Sequence, residues 1–117
     1  HFYTVELHRS AALAHLGLAD AADDDEVRAT ELHAAEQRAS AAIDLARAQS
    51  AASLELRAIQ PMIELLCRRG DTEAARSLLA DAVAKFPAES SGTELDRARA
   101  ALRGAAELRP RLRFHEV

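Results

Sequence analysis

Four polar side chains in the middle of the chain have the types and spacing to bind another molecule. They recur every three or four residues, which places them in one row along a helix. Two guanidinium groups, an amide and a carboxylate can form ion pairs and hydrogen bonds with a polypeptide, but they carry no catalytic signature. An ordinary solvated helix face is the alternative interpretation of such a row. These four candidate partner-binding residues are Arg57, Gln60, Glu64 and Arg68.

The histidines suggest a metal-binding hypothesis that their spacing does not support. Glu-Leu-His occurs at residues 6–8 and 31–33, and side chains two positions apart on a helix point to nearly opposite sides. A zinc or di-iron site on helices would use His-x-x-x-His or Glu-x-x-His, and the sequence contains neither pattern. We therefore predict no metal and no cofactor. The histidines considered are His8, His15, His33 and His115.

Other signatures of chemistry are incomplete. The acidic run at residues 23–26 lacks the alternating ligands and the central glycine of an EF-hand loop, and it suits a helix start. Cys67 has no partner positioned by the sequence, and no Gly-x-Ser-x-Gly elbow is present. A phosphate-binding G-x-x-x-x-G-K-[ST] loop is absent, because the single lysine, Lys85, lies in a predicted helix. We predict that this chain is not an enzyme.

The composition favours packed helices. Of the 117 residues, 49% are apolar and only 3% are aromatic, and much of the apolar share is alanine, the strongest helix former. A formal net charge of −4 gives no basic field for nucleic acid, and no apolar run approaches the roughly 20 residues that cross a bilayer. Because a lone cysteine forms no intramolecular disulfide, a reducing, cytoplasmic compartment is the simpler prediction.

Hydrophobic periodicity predicts about five helices. We expect Gly17 to stop the first helix, and Thr93 with Asp96 to begin the last one as a capping box. Pro61 should either kink the third helix or restart it within its first turn. The approximate predicted ranges are 4–16, 25–49, 53–69, 71–86 and 94–107.

The tripeptide Arg69-Gly70-Asp71 has two incompatible interpretations. In a mobile loop of a secreted protein it would present an adhesion sequence. Between two helices, Gly70 would end one helix and Asp71 would cap the next. The helical pattern on both sides favours the joint.

Two of the predicted helices share an apolar pattern at an offset of 40 residues. Each of them follows another helix, so the repeated unit is a helical hairpin. The matched pairs are Ala35 with Ala75, Ala39 with Leu79, Ala42 with Ala82, and Ile43 with Val83.

Residues 56–87 resemble one tetratricopeptide repeat (TPR). Gly70-Asp71 matches the joint between its helices, Ala75 and Ala82 match positions where neighbouring helices approach closely, and Pro87 closes the unit. The resemblance implies an all-α fold, in which antiparallel helical hairpins stack as a degenerate TPR-like array. In such an array the row of four polar candidates lines the concave, ligand-facing groove.

A longer resemblance covers residues 3–103. The segments ELHR (6–9), AIDLARAQSAASLELRA (42–58), GDTEAARSLL (70–79) and TELDRARAAL (93–102) occur in this order. Together they are similar to the C-terminal helical-repeat end of large bacterial signalling ATPases, which often carry a cyclase domain or a LuxR-type DNA-binding domain. The resemblance implies that any ATPase or cyclase activity belongs to other parts of a larger parent protein.

We therefore expect residues 1–107 to form a helical repeat domain of a larger protein, followed by a tail or linker at 108–117. Its predicted role is that of a non-catalytic interaction or regulatory scaffold of a signalling ATPase or transcriptional regulator. The expected partner is a protein or a sister domain, without direct contact to nucleic acid or membrane, and homo-oligomerisation stays open. One alternative is a purely structural spacer. The other is a small helical-bundle metal-binding protein or enzyme that would use Glu31, Glu36, His8 and His33.

Overall fold

The computed structural model describes residues 2–104, and within this range every regular element is a helix. The all-α prediction is therefore confirmed, while the predicted tail at 108–117 lies outside the described residues. None of the helices is long and apolar enough to cross a membrane. They are α1 Phe2–Ala21, α2 Asp25–Ala48, α3 Ala52–Ala58, α4 Gln60–Arg68, α5 Thr72–Val83 and α6 Thr93–Arg103.

The chain divides into two compact units, with the boundary between Met62 and Ile63 inside α4. The first unit contains α1, α2, α3 and the beginning of α4. The second unit contains the remainder of α4 together with α5 and α6.

Alanine dominates the buried side of α2, against which α1 packs extensively. His15 of α1 contacts Glu31 of α2, and His8 of α1 contacts Arg38 of α2. In each pair the two residues are equally far along the chain from residue 23, so α1 and α2 run antiparallel. Small side chains let the two helices approach closely and still fill the interior. The buried residues are Val5, Ala12, Leu16 and Ala19 on α1, and Ala35, Ala39, Ala42, Ile43 and Ala46 on α2.

The short helix α3 completes the core of the first unit, where it packs against both α1 and α2. Its buried apolar residues include Leu54, Leu56 and Ala58. The carboxylate of Glu55 is also buried, and Arg47 Nε of α2 donates to its Oε2 at 3.0 Å. The pair joins the end of α2 to α3.

The prediction that Gly17 stops the first helix is wrong. The helix α1 continues for another turn to Ala21, because Leu16 and Ala19 are buried on its inner side and hold that turn in place. Gly17 itself is exposed, and a glycine inside a helix costs only about 1 kcal/mol relative to alanine. Burial therefore outweighs the local preference of glycine.

The acidic run forms the turn after α1 and the start of α2. Asp24 is the N-cap, and its Oδ1 accepts a hydrogen bond from the backbone N–H of Glu26 at 2.8 Å. Arg28 Nη2 reaches back to the carbonyl oxygen of Ala22 at 2.7 Å. The interpretation of these carboxylates as a helix start is confirmed, since Asp24 satisfies a free backbone N–H group and Asp25 and Glu26 lie in the first turn, at the positive end of the helix dipole.

The third predicted helix is interrupted at Ile59. The helix α3 ends at Ala58 and α4 begins at Gln60 with Pro61 as its second residue. A proline is tolerated in the first turn because the N–H groups there have no partner within the helix. Of the two alternatives that Pro61 left open, the structure shows a restart.

The joint between α4 and α5 is a helix end followed directly by an N-cap. Gly70 has a left-handed φ of +77°, and the N–H groups of Gly70 and Asp71 donate to the carbonyl oxygens of Cys67 and Leu66 at 3.0 and 2.9 Å. These bonds match a Schellman motif. Asp71 Oδ1 then accepts from the backbone N–H of Ala74 at 3.3 Å. Arg69-Gly70-Asp71 is therefore a helix joint, as the sequence indicates.

In the second unit α5 packs against α6. Arg99 of α6 donates to the backbone carbonyl groups of Pro87 and Ser90, and Arg76 of α5 donates to that of Leu102. The bonds of Arg99 attach the loop between α5 and α6 to α6, and the bond of Arg76 attaches the end of α6 to α5. The buried apolar residues of these two helices are Ala75, Leu79, Ala82, Leu95 and Ala98.

Two predicted boundaries in this unit are wrong. The helix α5 ends at Val83 rather than at residue 86, and the chain continues in turns through Phe86. The N-cap of α6 is Gly92 and not Thr93, so the predicted capping box does not form. At its other end α6 stops at Arg103, because Gly104 adopts an extended backbone, and residues 105–107 lie outside the described range.

Replacing glycine by alanine should have opposite effects at Gly17 and Gly70. Gly17→Ala should stabilise the protein by about 1 kcal/mol, because the residue is helical and a Cβ there would meet no atom within 4 Å. Gly70→Ala should destabilise it by about 1 kcal/mol, because the left-handed backbone disfavours any Cβ. Urea unfolding followed by circular dichroism measures both effects.

The two variants serve as each other's control, since the substitution is identical and both sites have open space. A loss of stability in Gly17→Ala would contradict the continuation of α1 beyond residue 17. Unchanged stability in Gly70→Ala would contradict the left-handed conformation of the joint.

Candidate functional site

A carboxylate on α1 lies at the centre of the main polar cluster of the first unit. Glu6 accepts hydrogen bonds from Arg57 of α3, through Nε at 3.1 Å and Nη2 at 3.2 Å. It also accepts from Arg9, one turn along α1, through Nη2 at 3.0 Å and Nε at 3.2 Å. One carboxylate thus binds two guanidinium groups from two helices.

Gln60 extends this cluster to the start of α4. Arg9 Nη1 donates to Gln60 Oε1 at 2.8 Å, so Arg9 contacts both Glu6 and Gln60. We call Glu6, Arg9, Arg57 and Gln60 the Glu6 cluster. Its hydrogen bonds connect α1 to α3 and α4, which meet at the break beside Pro61.

The two arginines keep Glu6 ionised. Hydrogen bonds from Arg57 and then from Arg9 lower the pKa of Glu6 from 4.5 to about 2, and partial burial of the carboxylate opposes this shift. Because Glu6 holds no proton near neutral pH, it cannot act there as a general acid. The arrangement is suited to holding helices together or to binding charged groups.

The four predicted partner-binding residues divide between the two units. Arg57 and Gln60 belong to the Glu6 cluster in the first unit. In the second unit Arg68 Nη2 lies 3.8 Å from Glu64 Oε1, one turn apart on α4, and both side chains are partly exposed. Their role in partner binding stays a prediction.

The histidines of α1 face α2. His15 Nδ1 lies 2.7 Å from Glu31 Oε1, and His8 Nδ1 lies 3.0 Å from Arg38 Nη1. A guanidinium group can only donate hydrogen bonds, so the Nδ1 atom of His8 acts as the acceptor. Two of the residues that the metal-binding alternative would use, His8 and Glu31, therefore engage other side chains.

Metal coordination receives no support from the geometry. Among the described residues, no group of three or more His, Cys, Asp or Glu side chains is placed to hold an ion. His33, a further candidate ligand, is exposed, and Cys67 is buried as a free thiol. The side chain of Glu36 has an interaction partner.

An apolar surface on α1 is the feature that the sequence analysis missed. The side of α1 turned away from the core carries Leu7, Ala11, Ala14 and Leu18, which we call the outer face of α1. The leucine residues are 51% and 53% exposed, respectively, Ala14 is exposed, and Ala11 is half-buried. The spacing of four, three and four residues is the sequence signal for this second apolar stripe, which lies opposite the buried pattern of Val5, Ala12 and Leu16.

Only part of the Glu6 cluster could be predicted from the sequence. The pairing of Glu6 with Arg9 follows from their spacing of three residues on a helix. The pairing of Glu6 with Arg57 joins residues 51 positions apart, and only the packing of α1 against α3 brings them together.

A scan of the chain against models of protein families found no match, and searches of curated proteins and of solved structures also found none.

The Glu6 cluster predicts a specific loss of stability in acid. Since the folded pKa of about 2 lies below the ordinary value of 4.5, the contribution of Glu6 is fully present above pH 4.5 and is lost as pH falls towards 2. Glu6→Gln should lower the unfolding free energy at neutral pH by about 1–2 kcal/mol. Below about pH 2 it should match the unsubstituted chain. Urea unfolding as a function of pH measures this difference.

Asp25→Asn is the matched control, because Asp25 pairs with Arg28 at the surface with its side chain 97% exposed. It should lower stability by less than about 0.5 kcal/mol. A constant difference between Glu6→Gln and the unsubstituted chain across the acid range would contradict the depressed pKa of Glu6.

Proposed function

We propose that this chain is a non-catalytic protein–protein interaction module that binds a helical partner. The observation that carries the proposal is the outer face of α1. Leu7 and Leu18 are about half exposed, while the opposite side of the helix, with Val5, Ala12 and Leu16, is buried. Exposed apolar residues arranged along one side of a surface helix are a common feature of interaction sites, since burying them removes apolar area from water.

The contacts of the polar residues support a scaffold. The Glu6 cluster joins α1 to α3 and α4, Arg47 with Glu55 joins α2 to α3, and Arg76 and Arg99 bind backbone carbonyl groups in the second unit. Each of these side chains fixes one element relative to another. Such contacts give a rigid surface for binding and require no reacting group.

We further propose that the hairpins belong to a degenerate TPR-like array. Three of the four matched pairs are buried in both helices: Ala35 with Ala75, Ala39 with Leu79, and Ala42 with Ala82. Burial at the same offset supports a repeated pattern, and the resemblance to bacterial signalling ATPases supports a regulatory role within a larger signalling ATPase or transcriptional regulator. Arg57 and Gln60 of the first unit, and Glu64 and Arg68 of the second, would then be candidates for polar contacts with the partner.

Site-specific crosslinking tests the proposed function. A photo-reactive amino acid at position 14, in the middle of the outer face of α1, should give a discrete crosslinked product in extracts of the cells that make the protein. The same group at position 44 is the control, because Asp44 is also exposed but lies on α2. Mass spectrometry of the products identifies the partner.

A discrete product at position 14 with none at position 44 is the expected result. Equal, diffuse labelling at both positions would contradict an interaction role for the outer face, and would favour the structural spacer. A stoichiometric ion in purified, untagged protein would instead favour the metal-binding alternative.

A further inference from the structure

The outer face of α1 gives the same order of residue types and the same spacing whether it is followed from Leu7 to Leu18 or from Leu18 to Leu7. From Leu7 to Leu18 the intervals are four, three and four residues, and leucine, alanine, alanine and leucine occupy these positions in turn. At 3.6 residues per turn the four side chains fall within an arc of about 60°. The pattern is symmetric about the midpoint between Ala12 and Leu13.

This symmetry fits a two-fold interface between identical helices. When two copies of α1 meet antiparallel about a two-fold axis through that midpoint, Leu7 of each copy lies opposite Leu18 of the other, and Ala11 lies opposite Ala14. A two-fold interface requires a self-complementary surface, since each copy contributes the same patch. The small alanines let the helix centres approach while the leucines fill the space at both ends.

The charge distribution favours the same surface. The exposed residues along one edge of the stripe, Ser10, Gly17 and Ala21, are uncharged, and at the other edge His15 is half-buried and pairs with Glu31 of α2. Each chain carries a formal net charge of −4, and two copies repel each other over most orientations. An uncharged apolar face allows two copies to meet with the least like-charge repulsion.

We propose that two copies of this chain associate through the outer faces of α1 in an antiparallel, two-fold arrangement. This inference rests on the proposed function, because it names the partner of the same face. A helix of 20 residues is about 30 Å long, and one such helix presents less surface than the roughly 800 Å² per partner of a standard interface. We therefore expect a weak dimer that forms only at high protein concentration.

Sedimentation equilibrium of the full chain, from low-micromolar to submillimolar concentration, tests the association. The unsubstituted chain should shift from monomer to dimer, and Leu18→Glu should weaken the dimer at least tenfold, because it places a carboxylate in the apolar contact. Gln37→Glu is the matched control: it adds the same charge at an exposed position of α2 and should leave the association unchanged.

Mixing two variants tests the antiparallel register. Since residue 7 of one copy lies opposite residue 18 of the other, Leu7→Lys mixed with Leu18→Glu should associate at least tenfold more tightly than either variant alone. The control mixture, Leu7→Lys with Leu7→Glu, should show no such recovery, because residues 7 of the two copies lie at opposite ends of the interface. Circular dichroism should show native helicity in all variants, since positions 7 and 18 are exposed.

A chain that sediments as a monomer throughout would overturn the inference, and so would equal association of Leu18→Glu and Gln37→Glu. Equal recovery in both mixtures would overturn the antiparallel register. If the chain is monomeric but crosslinks to a different protein through position 14, self-association is excluded. The proposed interaction function would still be supported in that case.

Discussion

The close approach of α1 and α2 is the constraint on which the described structure of the first unit depends. The buried side of α2 consists of alanine at four of five positions, with Ile43 as the only larger residue. Alanine offers little apolar area per residue, so the hairpin gains its stability from close helix–helix packing over a long contact. This packing extends α1 through Gly17 and brings the histidines of α1 to the charged residues of α2.

The same packing determines which surfaces of α1 are available. One side is buried against α2 and α3, a second carries Glu6 and Arg9 to the start of α4, and the third is the outer face. Because Glu6 is held by two arginines, the helix is fixed by charge-assisted hydrogen bonds as well as by apolar contact. A helix oriented in this way presents Leu7 and Leu18 in a defined position, which would reduce the entropy lost in the proposed association.

The buried alanines, the joint at Gly70-Asp71 and the cap at Asp24 could be predicted from sequence, because each depends on periodicity or on backbone chemistry within a few residues. The end of α1 could not be predicted, because burial of Leu16 and Ala19 outweighs the effect of Gly17. The boundary of α6 was missed because Gly92 caps the helix in place of Thr93. The contact between Glu6 and Arg57 could not be predicted, because it depends on tertiary packing between residues that are far apart in the sequence.

The central claim is that alanine at the contact of α1 with α2 sets the arrangement of the helices. The most direct measurement is the unfolding free energy of Ala12→Leu compared with Ala14→Leu in dilute solution. Ala12 is fully buried and Ala14 is exposed, on the same helix. Ala12→Leu should lose about 1–3 kcal/mol through overpacking, and Ala14→Leu should change stability by less than about 0.5 kcal/mol. Equal tolerance of leucine at both positions would contradict the claim.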